Sequence, residues 1–270
     1  MSALLPIALI TFKEGTRNRS FYGISLLALL LMGASFFISG MVIRDVGKVA
    51  VDMALSTVSF AGLLLVLFVG IDLMAKDLDK RTIYMVLARP ISRQQYIVGK
   101  FLGISLLVVG TVFLLSIFAA ISISTIKWAN PYYFPRFSWG LVFLAEAFIA
   151  VSLILLSAMS FLFASVSSTS FLTLILTIMS YIIGHSLSSV KALVEAPQAA
   201  GITVSPLTVK LVQAAYFLFP NLSLFDIKMQ AAHGLSLPMT YIIWTLCYGI
   251  VYICLVILFA ALLFRKKEFP

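Results

Sequence analysis

The sequence has few charged residues for its length. Of its 270 residues, 19 are Lys or Arg and 10 are Asp or Glu, whereas 62% are hydrophobic. An ordinary soluble domain carries about 25% charged residues. This composition excludes a soluble globular fold and predicts a membrane protein. Several spans of about 20 residues each leave little length for a soluble catalytic domain.

Cysteine and histidine are scarce as well. Cys247 and Cys254 lie in one apolar run, about two helical turns apart and too distant for a disulfide. We expect both to be small hydrophobic core residues. His185 and His233 have no cysteine or carboxylate neighbours at ligand spacing, which disfavours a metal site. His185 lies beside several serines and is expected to be hydrogen-bonded at a helix interface.

Motifs for nucleotide and peptide chemistry are missing. The sequence contains no Gly-x-x-x-x-Gly-Lys-Ser/Thr phosphate loop and no His-Glu-x-x-His zinc motif. The chain is therefore not expected to hydrolyse ATP or to hold a cofactor of its own. No nucleophile, base or metal set converges on one place, which disfavours an integral-membrane enzyme. Nothing in the sequence suggests a nucleic-acid partner.

Long apolar runs dominate the sequence instead. Six of them are long enough to cross a bilayer and predict an all-α integral membrane protein with one transmembrane domain over residues 1–270. The predicted spans are 21–43, 53–74, 101–126, 141–166, 171–190 and 239–264. The outer loop 191–238 contains a shorter apolar stretch, 209–219, which is typical of a re-entrant or interfacial helix.

The basic residues predict how the spans are oriented. If the N-terminus is cytoplasmic, the inner residues are Lys13, Arg17, Arg19, Lys76, Lys80, Arg81, Arg89, Arg93, Lys100, Arg265, Lys266 and Lys267. The smaller outer set is Arg44, Lys48, Lys127, Arg136, Lys191, Lys210 and Lys228. Both termini are therefore expected in the cytoplasm.

An aromatic cluster lies between the third and fourth predicted spans. Amphipathic rings prefer the headgroup layer, so the cluster predicts an outer interfacial belt. A substrate-gating cluster is the alternative. Its members are Trp128, Tyr132, Tyr133, Phe134, Phe137 and Trp139.

Two inner segments outside the spans have helical patterns. Residues 4–19 combine apolar positions with a basic end, which predicts an interfacial helix held by anionic lipid; a polar tail is the alternative. In segment 75–100, Pro90 ends a short amphipathic helix, and Ser92 with Gln95 forms a capping box that opens the next helix. This segment holds half of the inner basic residues and is longer than a simple connection requires. We expect it to dock a cytoplasmic partner.

Two carboxylates lie within the predicted spans. A carboxylate in hydrocarbon is costly, which makes each one a functional candidate. Glu146, in the outer third of the fourth span, is a candidate pathway residue, or else a structural group close to the aqueous side. Asp72, near the inner end of the second span, is expected to pair with Lys76.

Small residues recur at every fourth position and predict close helix packing in a bundle, compatible with a dimer. The ridges are Gly99–Gly103, Ser116–Ala120–Ser124, Ser160–Ala164–Ser168 and Ser180–Gly184–Ser188.

Three motifs between the second and third predicted spans resemble the signature of ABC exporter permeases of the ABC-2 type. They are DKRTIY at 79–84, LARPISR at 87–93 and GKFLG at 99–103. The chain is most similar to stand-alone permease subunits such as those of nitrous-oxide-reductase maturation and sodium-export systems. The segments 12–19 and 220–226, the six spans and the basic tail fit the same pattern.

The resemblance implies a partner and a mechanism. The segment matching 77–87 would be a coupling helix that docks into a separate cytoplasmic ATPase subunit, which binds ATP and Mg²⁺. Two permease subunits, identical or different, would pair around a pathway in the lipid of a bacterial or archaeal cytoplasmic membrane. The docking residues would be Asp77, Asp79, Lys80, Arg81, Thr82, Tyr84, Arg89 and Arg93.

The alternative function is an ATP-independent secondary transporter or channel. It predicts charged or broken helices near the membrane midplane, and Glu146 is the main feature of that kind.

Overall fold

The computed structural model describes residues 4–41, 45–74, 92–167, 169–195 and 205–266. These residues are mostly helical, and no strand occurs among them. The helices are α1 (Leu4–Thr16), α2 (Arg19–Met41), α3 (Val46–Met74), α4 (Arg93–Ala129), α5 (Trp139–Val166), α6 (Ser170–Glu195), α7 (Pro206–Leu218), α8 (Lys228–His233) and α9 (Met239–Lys266). Two 3₁₀ turns, Pro131–Tyr133 and Leu222–Phe225, lie in the connections.

Six of these helices, α2 to α6 and α9, are long and apolar enough to cross a membrane. The prediction of an all-α membrane protein with six spans is thereby confirmed. Helix α4 has 37 residues and is about 55 Å long at 1.5 Å per residue. Because the hydrocarbon core is about 30 Å thick, α4 extends well beyond the apolar run that defines its span.

Helices α3, α4 and α5 form the centre of the bundle. The most apolar window of α3 is 67% buried, against 22% for α2 and 28% for α9. Helix α2 packs on α3 and α4, α6 and α9 pack on α5, and α1 lies along the first half of α4. The expectation that Cys247 and Cys254 are core residues is wrong. Both are exposed on α9, where an outward apolar face would meet lipid.

Helix α3 changes its hydrogen-bonding pattern near its end. Residues Leu65–Gly70 are π-helical, between α-helical Val46–Leu64 and the last turn that ends at Met74. π-Turns are rare and are frequently found at functional sites. Here the turn lies just before segment 75–91, whose structure is not described.

The contacts define two ends of the bundle. At one end, Asn18 reaches Asp72, and Arg93 reaches Arg265. The N-terminal helix, the end of α3, the start of α4 and the end of α9 therefore share this end. At the other end, the α4–α5 connection packs on the start of α3, since a Cβ at Gly47 would collide with the Tyr133 carbonyl. The first end contains residues assigned to the inside, and the second contains residues assigned to the outside.

Candidate functional site

The start of α4 is fixed by its first residues. The Ser92 hydroxyl accepts a hydrogen bond from the Gln95 amide at 3.2 Å, and the Gln95 side chain accepts one from the Ser92 amide at 3.2 Å. The predicted capping box is confirmed. It satisfies two amide groups that would otherwise lack partners at the helix start.

Of the predicted docking residues, Arg93 lies within the described chain. Its Nη1 donates to the Arg265 carbonyl at 3.3 Å. One turn later, the Tyr96 ring stacks on Phe264 with centroids 6.3 Å apart. These contacts join the start of α4 to the end of α9. The remaining predicted docking residues lie outside the described residues, namely Asp77, Asp79, Lys80, Arg81, Thr82, Tyr84 and Arg89.

Lys100 joins α4 to the end of α3. Its side chain is 5% exposed, and its Nζ donates a hydrogen bond to the Leu73 carbonyl. The Nζ also lies 5.5 Å from the centroid of the Tyr96 ring. A cation suits the C-terminal end of a helix, where carbonyls lack intrahelical partners. Sequence reasoning placed Lys100 among the inner basic residues and missed this role; a lone lysine beside Gly99 in an otherwise apolar stretch was the available signal.

Helix α1 packs closely on the Gly99–Gly103 pair. A Cβ at Gly99 would lie 2.9 Å from the Ile7 Cβ, and one at Gly103 would lie 2.6 Å from the Ala8 carbonyl oxygen. The predicted close packing at this pair therefore occurs. The face of α1 that carries Leu5 and Leu9 is exposed instead.

A polar cavity of about 710 Å³ lies at the same end, between α1 and α3. The Asn18 Nδ2 donates to the Asp72 carboxylate at 3.3 Å. The predicted partner of Asp72, Lys76, lies outside the described residues. The lining side chains are Ile10, Lys13, Glu14, Arg17, Asn18, Arg19 and Asp72.

A groove of about 680 Å³ lies near the opposite end, between α4 and α5, and is here named the α4–α5 groove. Its walls are mostly apolar, and the predicted ridge Ser116–Ala120–Ser124 runs along its floor, half-buried at Ser116 and exposed at Ser124. This ridge is therefore not fully covered by any other helix that the structure describes. The lining residues are Val109, Val112, Phe113, Ser116, Ile117, Ala120, Ile121, Ser124, Thr125, Phe143, Glu146, Ala147 and Ala150.

Glu146 lies in the wall of the α4–α5 groove, on the second turn of α5. The residue is 4% exposed, and its Oε1 has no hydrogen-bond partner within the described part of the chain. Ser116 faces the carboxyl from α4. The Ser116 hydroxyl also donates to the Val112 carbonyl at 2.8 Å. One hydroxyl proton cannot serve both acceptors, so the carboxyl is poorly satisfied.

The family of the chain follows from a comparison with known families. The family model for the ABC-2 family transporter protein matches residues 5–269, nearly the whole chain. The chain belongs to this family. It is therefore an ABC-2 type permease, a membrane component of an ABC transporter and not itself an enzyme. A comparison with curated proteins found no match.

In this ABC-2 permease, the described part of the connection between α6 and α9 folds back onto the bundle. The Asn221 amide donates to the Tyr248 hydroxyl at 2.9 Å, and the Tyr241 hydroxyl donates to the Leu224 carbonyl at 2.6 Å. Ser188 is hydrogen-bonded to Asn221 and Ser223. Gly184 and Ser188 of the predicted ridge Ser180–Gly184–Ser188 thus pack on this connection. The predicted apolar stretch 209–219 overlaps helix α7.

The aromatic cluster of the permease divides into two groups. Trp128 and Tyr132 are 87% and 89% exposed, in positions suited to a lipid interface. Phe134 is buried instead, and the Phe137 and Trp139 rings pack edge to face at 4.8 Å. On α6, the centroid of the His185 ring lies 4.6 Å from that of the Tyr181 ring. In the described parts of the permease, no group of three or more His, Cys, Asp or Glu residues could hold a metal ion.

Proposed function

We propose that this permease forms the translocation pathway of an ATP-driven exporter, as a dimer of two such subunits coupled to a separate cytoplasmic ATPase. The observation that carries the proposal is the ABC-2 family match over residues 5–269. The sequence has no phosphate loop of its own. ATP and Mg²⁺ would therefore bind to the partner subunit, and the free energy of hydrolysis must reach this chain through contact.

The contact is proposed to be the segment between Met74 and Ser92. Its charged residues, among them Arg81 and Arg89, would dock on the ATPase. Both flanks of the segment are attached to the bundle, one by Lys100 at the Leu73 carbonyl and the other by Arg93 at the Arg265 carbonyl. Because the flanks are the ends of the central helices α3 and α4, a displacement of the segment would move the middle of the bundle.

The proposed orientation follows from the same contacts. Residues assigned to the inside from their charge lie together at the end that holds α1, the start of α4 and the end of α9. Docking on a cytoplasmic ATPase requires this end to face the cytoplasm. Both termini would then lie in the cytoplasm, and the six spans in the cytoplasmic membrane.

Co-purification with the ATPase tests the proposal. The permease is co-expressed with the ATPase encoded by a neighbouring reading frame, and the complex is captured by a tag on the permease. The wild type should retain the ATPase. The double variant Arg81→Glu, Arg89→Glu should weaken retention by about tenfold or more, since like charges would meet in the interface.

The matched control is Lys210→Glu, a charge reversal at an exposed position of α7. It should leave retention unchanged. Purification of an actively transporting protein with no ATPase attached would overturn the proposal, as would full ATPase retention by the double variant.

A further inference from the structure

We infer that the α4–α5 groove binds a hydrophobic organic monocation, with the Glu146 carboxylate as its counter-ion. As a statement about the transported substrate, the inference rests on the exporter function proposed above. As a statement about binding, it rests on the groove alone. Each step concerns residues of α4 and α5 that are fully described.

The first step is the burial of the carboxyl group. Glu146 is 4% exposed, and its Oε1 accepts no hydrogen bond from any described residue. A buried ionised carboxylate is strongly unfavourable unless it is paired or neutralised. The Ser116 hydroxyl faces the carboxyl, but no cationic side chain among the described residues of the groove pairs with it.

The second step is the inventory of donors in the groove. Among the described residues that line it, none is lysine, arginine or histidine. The Ser116 and Thr125 hydroxyls both donate to carbonyls of their own helix, at 2.8 Å in each case. Their oxygens keep free lone pairs that can accept further hydrogen bonds. Lys127, slightly further along α4, has its Nζ 4.6 Å from the centroid of the Phe137 ring. The groove thus offers acceptors and negative charge to a ligand that supplies donors and positive charge.

The third step is to decide whether the cation is a metal ion or an organic ammonium ion. Calcium and magnesium ions require about six oxygen ligands, whereas the groove supplies one carboxylate and the hydroxyls of Ser116, Ser124 and Thr125. The remaining wall is apolar and includes two aromatic rings, Phe113 and Phe143, which are 67% and 54% exposed. Apolar walls favour a hydrophobic body, and ring faces attract an organic ammonium group.

The fourth step is size. The groove volume of about 680 Å³ lies within the range of about 300–1,000 Å³ for pockets that hold drug-sized ligands. A single carboxyl at one side of such a volume matches an amphipathic amine. The ammonium group would lie at Glu146, and the hydrocarbon part would lie along Val112 and Phe113.

Direct binding tests the inference. The purified permease, without any ATPase, is placed in nanodiscs of zwitterionic lipid and titrated with dansylcadaverine, a fluorescent primary alkylammonium. The N-acetylated derivative has nearly the same shape but no charge. The wild type should bind the amine about tenfold or more tightly than the acetylated derivative, since one charge contact of about 1.4 kcal/mol corresponds to a tenfold change. Empty nanodiscs give the lipid background.

Variants of Glu146 test whether the preference for the amine depends on its carboxylate. Glu146→Gln has the same shape and should abolish the preference for the amine while leaving the acetylated derivative unchanged. Glu146→Asp keeps the charge and should retain part of the preference, which separates a charge effect from a folding defect. Asp52→Asn makes the same chemical change at an exposed carboxylate on α3 and should have no effect.

Two results would overturn the inference. The first is equal binding of the two probes by the wild type. The second is an amine preference that survives Glu146→Gln; if that variant also changes its oligomeric state, the carboxyl belongs to an interface between copies. Because no ATPase is present, neither of these results bears on the co-purification experiment. If the co-purification experiment failed, the binding experiment could still be interpreted.

Discussion

The two halves of α4 differ in what covers them. The half that begins at Arg93 is wrapped by α1, which approaches so closely that Gly99 and Gly103 have no room for a Cβ. The half that lines the α4–α5 groove is open on one side, with Phe113 67% and Ile121 57% exposed. One helix thus combines a tightly packed half with an uncovered one.

The comparison shows what small residues do and do not specify. Both halves carry small residues four positions apart, yet close packing occurs only where another element of the chain is present to use it. The packed half holds the flanks of the proposed docking segment through Lys100 and Arg93. The open half places a buried carboxyl beside a groove. Packing suits the transmission of a displacement, and an open face suits binding.

The largest effect should come from filling the packed half. In Gly103→Leu, the new Cβ would lie 2.6 Å from both the Ala8 carbonyl oxygen and the Thr11 Cβ. Because backbone and a branched side chain cannot move away without strain, we expect the free energy of unfolding to fall by about 3 kcal/mol. The apparent melting temperature in detergent, followed by size-exclusion chromatography, measures the effect. The control is Gly110→Ala, where the nearest atom is 3.7 Å away; equal melting of the two variants would contradict the packing.

A smaller effect is expected at Lys100. Lys100→Met replaces the lysine by an unbranched apolar side chain of similar length and leaves the Leu73 carbonyl without its hydrogen bond. We expect the free energy of unfolding to fall by about 1–2 kcal/mol. If the attachment of α3 to α4 transmits the action of the ATPase, the variant should retain the bound ATPase and lose transport. Melting and transport that both match the wild type would show that this hydrogen bond has no role.

The smallest effect on stability should come from the open half. Ala120→Leu enlarges a small residue as Gly103→Leu does, but the new side chain enters the α4–α5 groove. The free energy of unfolding should therefore change by less than about 0.5 kcal/mol. Binding of the amine probe should nevertheless fall, because the added atoms occupy the site. A melting temperature as low as that of Gly103→Leu would show that the groove is covered by protein.

Sequence reasoning succeeded where the signal is local. Hydropathy predicts six spans, and the capping box at Ser92 depends on residues three positions apart, so both follow from the sequence. The groove could not be predicted in this way. Whether Ala120 meets a helix or an open space depends on how α4 and α5 lie in three dimensions. The exposure of Cys247 has the same origin, since composition does not tell an outer helix from an inner one.

The π-turn at Leu65–Gly70 sets the direction in which α3 ends. One additional residue in a turn rotates everything after it by about 100° relative to an uninterrupted α-helix. Leu67 within the π-turn and Ile71 just after it form a small apolar cluster of their own, apart from the main core. Deleting one residue from 65–70 would turn the last described residues of α3 about their axis without altering the chemistry of any side chain there. The direction that the end of α3 faces at Met74 is thus set by the residue count of one helical turn.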